Sequence, residues 1–404
     1  MLFNKHLLEL ITLMFFISLL AGLWAVTLLC LLALMTVGAA QIWRRLALAR
    51  IEYTRKLSAD HAFPGDALAL TLTIANRKLL PLARLDIYDM ISPGLELEGP
   101  RVVSHGVAGG KAILHSVSLG WYEAVTWRYT LHCRQRGLYR LGPVHLRGGD
   151  PFGMFFDERE VRSLTRLVVY PRLLGPQELG FTMQHLLGDV RSRQHLIVDP
   201  VRTIGIRDYH RDDPLKSIHW GATARRGTLQ TRVYEPTTSL ELLCFLDVDT
   251  FEHYWEGVQR DEVERLISTA ATICKALIEA GHSVGLLTNS AAPEAERLIH
   301  LRPGRSPHQL AYLMELLAVL TPYSILPMSR LLANAAHMLS PGATVLLISA
   351  VGNEEVQAAL LRLCQHGHPV FWVSLSETAP SLPGVTLYHS PPAARWSQQM
   401  EVAA

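Results

Sequence analysis

The stretch LELLCFLDVDTF, residues 240–251, decides the fold of the C-terminal part of this chain. It begins with an apolar run interrupted only by Glu241 and then reaches Asp247 and Asp249. A short apolar run of this kind is typical of a strand that is buried on both faces of a parallel sheet. Ligands bind at the carboxyl ends of the strands in such sheets, so the two aspartates lie where a ligand is expected.

Helical and strand-like segments alternate after this stretch. Strand-like runs are SVGLLTN (283–289), ATVLLISA (343–350) and PVFWVSL (369–375). Between them lie helical segments such as VERLISTAATICKALIEAG, residues 263–281. This alternation predicts a doubly wound α/β domain over residues 238–404.

The region before it has a different pattern. ALALTLTIANR, residues 67–77, alternates apolar and polar residues with a period of two, which predicts an antiparallel strand. Similar runs follow, separated by Gly, Pro and Asn, and no helical pattern interrupts them. The pattern predicts an all-β, sandwich-like domain over residues 46–165.

The N-terminus is strongly apolar. No residue from Leu10 to Ala40 is charged, and this run is longer than the roughly 20 residues that span a bilayer. It also exceeds the roughly 7 to 15 apolar residues of a signal peptide. Residues 1–45 are therefore predicted to be transmembrane, either as one tilted helix or, as we favour, as a hairpin that turns near Gly22.

Positive charge at the flanks predicts the orientation of this segment. The basic residues after the apolar run are Arg44, Arg45, Arg50, Arg55 and Lys56. Basic residues near a membrane span remain in the cytoplasm, so the rest of the chain is predicted to face the cytoplasm. The five cysteines are scattered and form no C-x-x-C motif, which fits a reducing compartment.

Composition limits the function further. The 404 residues are 49% hydrophobic and allow two or three domains, while 38 Lys and Arg against 36 Asp and Glu give a net charge of +2. So small a charge gives no reason to expect a nucleic-acid partner. The sequence has no phosphate-binding loop, no G-x-G-x-x-G, no G-x-S-x-G and no H-E-x-x-H. No catalytic residues are therefore predicted, and the chain is not expected to be an enzyme.

Residues 166–237 are predicted to be a linker that carries one unusually charged motif, RDYHRDDPLKSIHWGATARRG (207–227). Three interpretations are open: a metal or acid/base cluster, a structural knot of paired charges over packed aromatic rings, and a docking face for a protein partner. The last two are compatible and are favoured. The residues concerned are Arg207, Tyr209, His210, Arg211, Asp212, Asp213, His219, Trp220, Arg225 and Arg226.

Three stretches together resemble the domain-of-unknown-function 58 family. They are RQRGLYRLGPVHLRGGDPFGMF (134–155), VVYPR (168–172) and GIRDYHRDDPLKSIHWGATARRGTLQTRVYE (205–235). The resemblance implies a bacterial inner-membrane protein with a von Willebrand factor A-like C-terminal domain. It also implies a MoxR-type AAA ATPase as the protein partner.

The resemblance further implies a divalent-cation site built on the pattern D-x-S-x-S. In this chain Asp247 matches the first ligand, Asp249 stands at the first serine position, and Phe251 replaces the second serine. Ser349 and Ala350 stand where a further aspartate-bearing turn is expected. We therefore favour a scaffold without a cofactor, with a cation held by Asp247 and Asp249 as the alternative.

The predicted function is that of a membrane-anchored, cytoplasm-facing adaptor that works with a MoxR-type AAA ATPase in assembly or cell-envelope physiology. A metal-dependent enzyme with its site at Asp247 and Asp249 is the alternative. A purely structural envelope protein without an ATPase partner is not distinguished from these by the sequence.

Overall fold

A computed structural model describes residues 5–104, 110–192, 198–236, 241–252, 256–292, 298–335, 338–376 and 379–390. The chain divides into two compact units, Met1–Tyr170 and Pro171–Ala404. The predicted apolar N-terminal helix and the later α/β content are both confirmed.

Two helices begin the first unit: α1 (Lys5–Leu20) and α2 (Trp24–Ala47). They are separated at Gly22, whose φ of +68° lies in the left-handed region that glycine adopts without strain. Thr27 on α2 donates a hydrogen bond to Ser18 on α1, with 3.1 Å between the hydroxyl oxygens. An 18-residue stretch of α2 has a mean hydropathy of 2.1, and the helix is long enough to cross a membrane, while the apolar part of α1, Glu9–Leu20, is shorter.

Two sheets make up the rest of the first unit. One has the order β1-β3-β8-β5, and the other has the order β2-β11-β9-β4-β7-β6, with β10 paired to β9. All pairs are antiparallel except β2 with β11. The strands are β1 (Ile51–Leu57), β2 (His61–Ala62), β3 (Ala67–Asn76), β4 (Leu82–Ile91), β5 (Glu96–Glu98), β6 (Val102–Ser104), β7 (Lys111–Leu119), β8 (Ala124–His132), β9 (Gly137–Gly149), β10 (Phe156–Val161) and β11 (Thr165–Val169).

Both sheets contribute side chains to shared cores, because alternate residues of each strand point inward. Leu70 and Leu72 of β3 lie in one cluster with Ile113 and Leu141 of the other sheet. Each such side chain stabilises the fold by about 1.5–3 kcal/mol. The end of α2 is fixed to the same unit by Lys78, whose Nζ donates to the carbonyl oxygens of residues 47 and 49 at 2.5 and 2.8 Å.

The second unit contains a six-stranded sheet with the order β16-β15-β14-β17-β18-β19. Only β16 is antiparallel to its neighbour. Its elements are β14 (Glu241–Leu246), α6 (Arg260–Glu279), β15 (Ser283–Ala291), β16 (Leu298–Gly304), α7 (Gln309–Val319), α8 (Met328–Ala335), β17 (Thr344–Ser349), α9 (Glu354–Gln365), β18 (Val370–Ser374) and β19 (Val385–His389). The strands β15, β17 and β18 are buried along their whole length, as their apolar runs predict.

Five further elements precede this sheet. They are α3 (Pro176–Leu179), α4 (Met183–Ser192), β12 (Val198–Asp208), α5 (Trp220–Arg226) and β13 (Gln230–Pro236). Strands β12 and β13 form a separate antiparallel pair, and α5 contacts β13. The charged motif is therefore folded on a small module of two strands and one short helix, which we call the β12–α5–β13 module.

Candidate functional site

The aspartates of the opening stretch lie at the carboxyl edge of the parallel sheet, as predicted from their position after β14. Neighbouring strand β15 runs parallel and brings Asn289 to the same edge. The Asn289 amide Nδ2 donates to Asp247 Oδ1 at 2.7 Å and to Asp249 Oδ2 at 3.0 Å. Its Oδ1 accepts from the backbone N–H of Val248 at 2.9 Å. One amide thus links both carboxyl groups and the loop between them.

Asn289 was missed by the sequence analysis. Its signal was present, because it is the polar last residue of the run SVGLLTN and the carboxyl ends of parallel strands meet at one edge. What the sequence did not contain was the pairing of β15 directly beside β14.

Burial controls the acidity of this pair. Asp247 is only 3% exposed, and burial raises its pKa well above the usual value, with the neighbouring charge of Asp249 acting in the same direction. Burial also raises the pKa of Asp249, although hydrogen bonds from Ser324 and Asn289 lower it. Because the two groups interact, they release their protons as a pair.

A cavity of about 320 Å³ opens beside the two aspartates. Its polar lining includes Asp249, Glu252, Ser324 and Asn353. The apolar lining comprises Phe251, Ile325, Leu326, Pro327, Met328 and Val351, with Val356. The cavity is thus acidic at one end and apolar along its wall.

The side chains at this edge depart from a divalent-cation site. The Phe251 ring stands in place of a second hydroxyl ligand, and the Asn289 amide nitrogen points at both carboxyl groups where a cation would need to lie. Among the residues that the structure describes, no group of three or more His, Cys, Asp and Glu is placed to hold a metal ion. The cation predicted at Asp247 and Asp249 would therefore require Asn289 to turn away.

The charged motif contains one clear ion pair. Arg207 Nη2 lies 2.6 Å from Asp213 Oδ1, and the other oxygen of Asp213 accepts from the backbone N–H of His210 at 2.9 Å. The hydrogen bond from Arg207, followed by that from the His210 backbone, lowers the pKa of Asp213. This pairing supports the structural interpretation for residues 207–213.

Gln230, which the sequence analysis did not select, is the buried centre of the module. Its Nε2 donates to Asp208 Oδ1 at 2.5 Å, and its backbone N–H donates to Thr223 Oγ1 at 3.0 Å. Its Oε1 accepts from Arg226 Nη1 at 3.3 Å. Gln230 therefore ties β13 to both β12 and α5.

His219 begins α5. Its Nδ1 accepts from the backbone N–H of Ala222 at 3.1 Å, which satisfies one of the unpaired donors at the start of the helix. The histidine is thus explained as a capping residue, and it lies in no metal-binding cluster of the described residues.

The prediction that Trp220 packs beneath the charges is wrong. Trp220 is 68% exposed and Tyr209 is half-buried. The reason is the size of the module: α5 has seven residues, none of them buried, so no core forms behind it. Leu215, Ile206 and Leu229 are also exposed, and Leu215 reaches 73%.

The remaining charges of the motif are exposed. They are Arg211, Asp212, Arg225 and Arg226. Within the described part of the chain, no carboxylate forms an ion pair with Arg211, Arg225 or Arg226. Arg225 and Arg226 line a second cavity of about 380 Å³ together with Ile206, His219, Gly221, Ala222 and Gln230.

Together these features define a class: a protein with an apolar N-terminal helix, antiparallel sheets and an α/β unit that carries a charged two-stranded module. The model of the family described as "Protein of unknown function DUF58" matches residues 205–390, from the charged module to the end of the sheet. The predicted resemblance to this family is thus confirmed over residues 205–390.

The chain is also similar to a curated protein. "Uncharacterized protein YeaD" of Bacillus subtilis (strain 168) is 24% identical over 240 residues, which cover 58% of this chain and 54% of the relative. This chain therefore matches about half the length of that protein.

Solved structures show only weak likeness. The CARDB domain of a Pyrococcus furiosus protein is 13% identical, with a TM-score of 0.20, over 30% of this chain and 86% of that domain. A cohesin module of a Clostridium perfringens glycoside hydrolase is also 13% identical, with a TM-score of 0.21, over 30% of this chain and 96% of the module. Likeness at this level does not bear on function.

Proposed function

We propose that this chain is a membrane-anchored adaptor whose second unit binds a protein partner. The observation that carries the proposal is the surface of the β12–α5–β13 module. It exposes the apolar side chains of Trp220 and Leu215, and it also exposes Arg225 and Arg226, whose charges have no carboxylate partner among the described residues. Tryptophan and arginine are the residues most enriched among those that dominate binding at protein interfaces.

The helices α1 and α2 form the anchor in this proposal. Apolar side chains such as Leu13, Leu20, Trp24 and Met35 are exposed on them, which suits contact with lipid. Arg44 and Arg45 in the last turn of α2 support an orientation with the following units on the cytoplasmic side of a bacterial inner membrane.

The two folded units have separate roles. The antiparallel sheets of the first unit form a sandwich-like spacer, supported by the core side chains that both sheets share. The α/β unit has the von Willebrand factor A-like arrangement, supported by its parallel strands and by the acidic edge after β14. The family resemblance supports a MoxR-type AAA ATPase as the partner.

A metal-dependent enzyme with its site at Asp247 and Asp249 is a second candidate function. It is favoured by two interacting carboxyl groups beside a cavity of about 320 Å³. The position of Asn289 counts against it, so the adaptor is the function that the geometry supports best.

Co-purification tests the proposal. The tagged full chain is isolated in detergent from cells of its own organism, and MoxR-type ATPases in the eluate are identified by mass spectrometry. The variants are Arg225→Gln/Arg226→Gln, Asp247→Asn, and the control Arg305→Gln/Arg330→Gln, whose arginines are also exposed. The adaptor function is supported if the ATPase co-purifies in the presence of chelator and is lost only in Arg225→Gln/Arg226→Gln. Loss of all partners, with bound metal that disappears in Asp247→Asn, supports the enzyme.

A further inference from the structure

The cavity between β12 and α5 has an unusual lining. Two arginines and a histidine line it, and none of the lining residues that the structure describes is acidic. Among the described carboxylates of the motif, Asp213 pairs with Arg207, Asp208 accepts a hydrogen bond from Gln230, and Asp212 is exposed and does not line the cavity. The cavity is therefore a concentration of positive charge in a chain whose net charge is only +2.

The donors in this lining are held in place by the module. Arg226 is held by its hydrogen bond to the buried Gln230. His219 uses Nδ1 as an acceptor, and in a neutral imidazole this leaves the proton on Nε2 as a donor. Arginine presents a planar set of N–H groups that matches a carboxylate. The lining thus suits an anion with carboxylate geometry.

The lining also contains an apolar side chain. Ile206 lines the cavity and is 46% exposed. A small inorganic anion would leave this apolar surface uncovered. A peptide that carries both acidic and apolar side chains covers it and neutralises the arginines.

From this charge complementarity we infer that the cavity binds an acidic segment of the partner protein. Carboxylate side chains of that segment lie against Arg225 and Arg226, and an apolar side chain lies against Ile206. The inference rests on the proposed adaptor function and adds to it the chemistry of the partner and the place where it docks.

Binding of a defined peptide tests this inference. The full chain in phosphatidylcholine nanodiscs is titrated into a fluorescein-labelled peptide of alternating Glu and Leu, and anisotropy is recorded. The control peptide has Gln in place of Glu. We expect binding of the Glu peptide only, weakened by salt, because exposed charges are screened.

Four variants locate the site. We expect Kd to rise about tenfold or more in Arg225→Gln/Arg226→Gln, since removing two charge contacts corresponds to about that factor. Arg225→Gln alone keeps the Arg226–Gln230 bond and should weaken binding by a smaller factor. Ile206→Ala should also weaken binding, because Ile206 lines the cavity, while Arg305→Gln/Arg330→Gln should bind like the wild type.

Each other outcome overturns the inference. If the Gln peptide binds as tightly as the Glu peptide, or if the control variant Arg305→Gln/Arg330→Gln loses binding, the cavity does not select carboxylates. Displacement of the peptide when phosphatidylglycerol is added to the nanodiscs shows that the surface faces anionic lipid. If the peptide fails to bind but the ATPase still co-purifies, only this inference is wrong, whereas failure of both also removes the adaptor proposal.

Discussion

Replacement of Asn289 by leucine probes the carboxyl pair at the sheet edge. Leucine has a similar size but removes the Nδ2 donor to Asp247 and Asp249 and the acceptor for the Val248 N–H. A hydrogen bond to a charged group contributes about 1.5–3 kcal/mol, so losing the two bonds from Nδ2 should cost about 3–5 kcal/mol in the free energy of unfolding.

The cost should depend on pH, and the direction follows from the bonds that are lost. The Asn289 amide stabilises the ionised carboxylates and so lowers their pKa values. Without it the pair holds its protons to higher pH in the folded state. At pH values between the pKa values of the carboxyl pair in the wild type and those in the variant, the folded variant binds more protons than the folded wild type. The stability of the variant relative to the wild type therefore falls as pH rises.

A second buried asparagine provides the control. Asn76 is buried, and its Nδ2 donates to the neutral carbonyl oxygens of Leu80 and Gly120 at 3.0 and 2.7 Å. Asn76→Leu should therefore destabilise the chain by a similar mechanism but by an amount that does not change with pH. The assay is calorimetric unfolding of the detergent-solubilised chain at about pH 5 and about pH 8.

Two results would refute this reasoning. An Asn289→Leu penalty that is the same at both pH values would show that the amide does not contact ionised carboxylates. Stabilisation of the wild type by Mg²⁺ after chelator treatment would show that a cation, and not Asn289, neutralises the pair, because a ligand that binds only the folded state raises its stability.

Three further perturbations concern the two units. Burial lowers the pKa of His115 to about 4, so the free energy of unfolding should fall by up to about 3 kcal/mol as the pH falls from about 6.5 towards 4. When unfolding is measured over this pH range, the variant His115→Phe should not show this loss. Gly352→Ala should destabilise the second unit by about 1–3 kcal/mol in denaturant unfolding, because the new Cβ would lie 2.5 Å from the buried Trp372 ring. The control is Gly367→Ala, whose Cβ meets no atom within 4 Å and which is disfavoured only by the positive φ of that residue. Lys78→Met should cost about 1–3 kcal/mol and increase hydrogen exchange at the end of α2, and unchanged exchange there would contradict the anchoring role of its ammonium group.

Regular elements could be predicted because their pattern is local. The two-residue alternation of Leu68, Leu70 and Leu72 predicts a strand with one buried face, and the structure buries all three. The apolar run before Asp247 predicts a strand buried on both faces, and that strand forms the centre of a parallel sheet. In each case the period of the side chains depends only on backbone geometry.

The environments of single side chains were not predictable in this way. One of the favoured interpretations packed Trp220 beneath the paired charges, yet a seven-residue helix on two strands has no core to receive it. Gln230 looks like an ordinary polar residue in the sequence, and only the pairing of β12 with β13 places it beside Asp208.

By itself, the sequence determined the apolar N-terminal helix, the change from antiparallel strands to α/β content, and the family resemblance of residues 205–390. Only the tertiary structure decided that Asn289 links Asp247 to Asp249, and that Arg225 and Arg226 line a cavity with no acidic residue among its described lining. The physical reason is the separation along the chain of the residues that produce each feature. Hydropathy and periodicity are properties of consecutive residues, whereas a binding site is made by side chains that strand order brings together from distant parts of the chain.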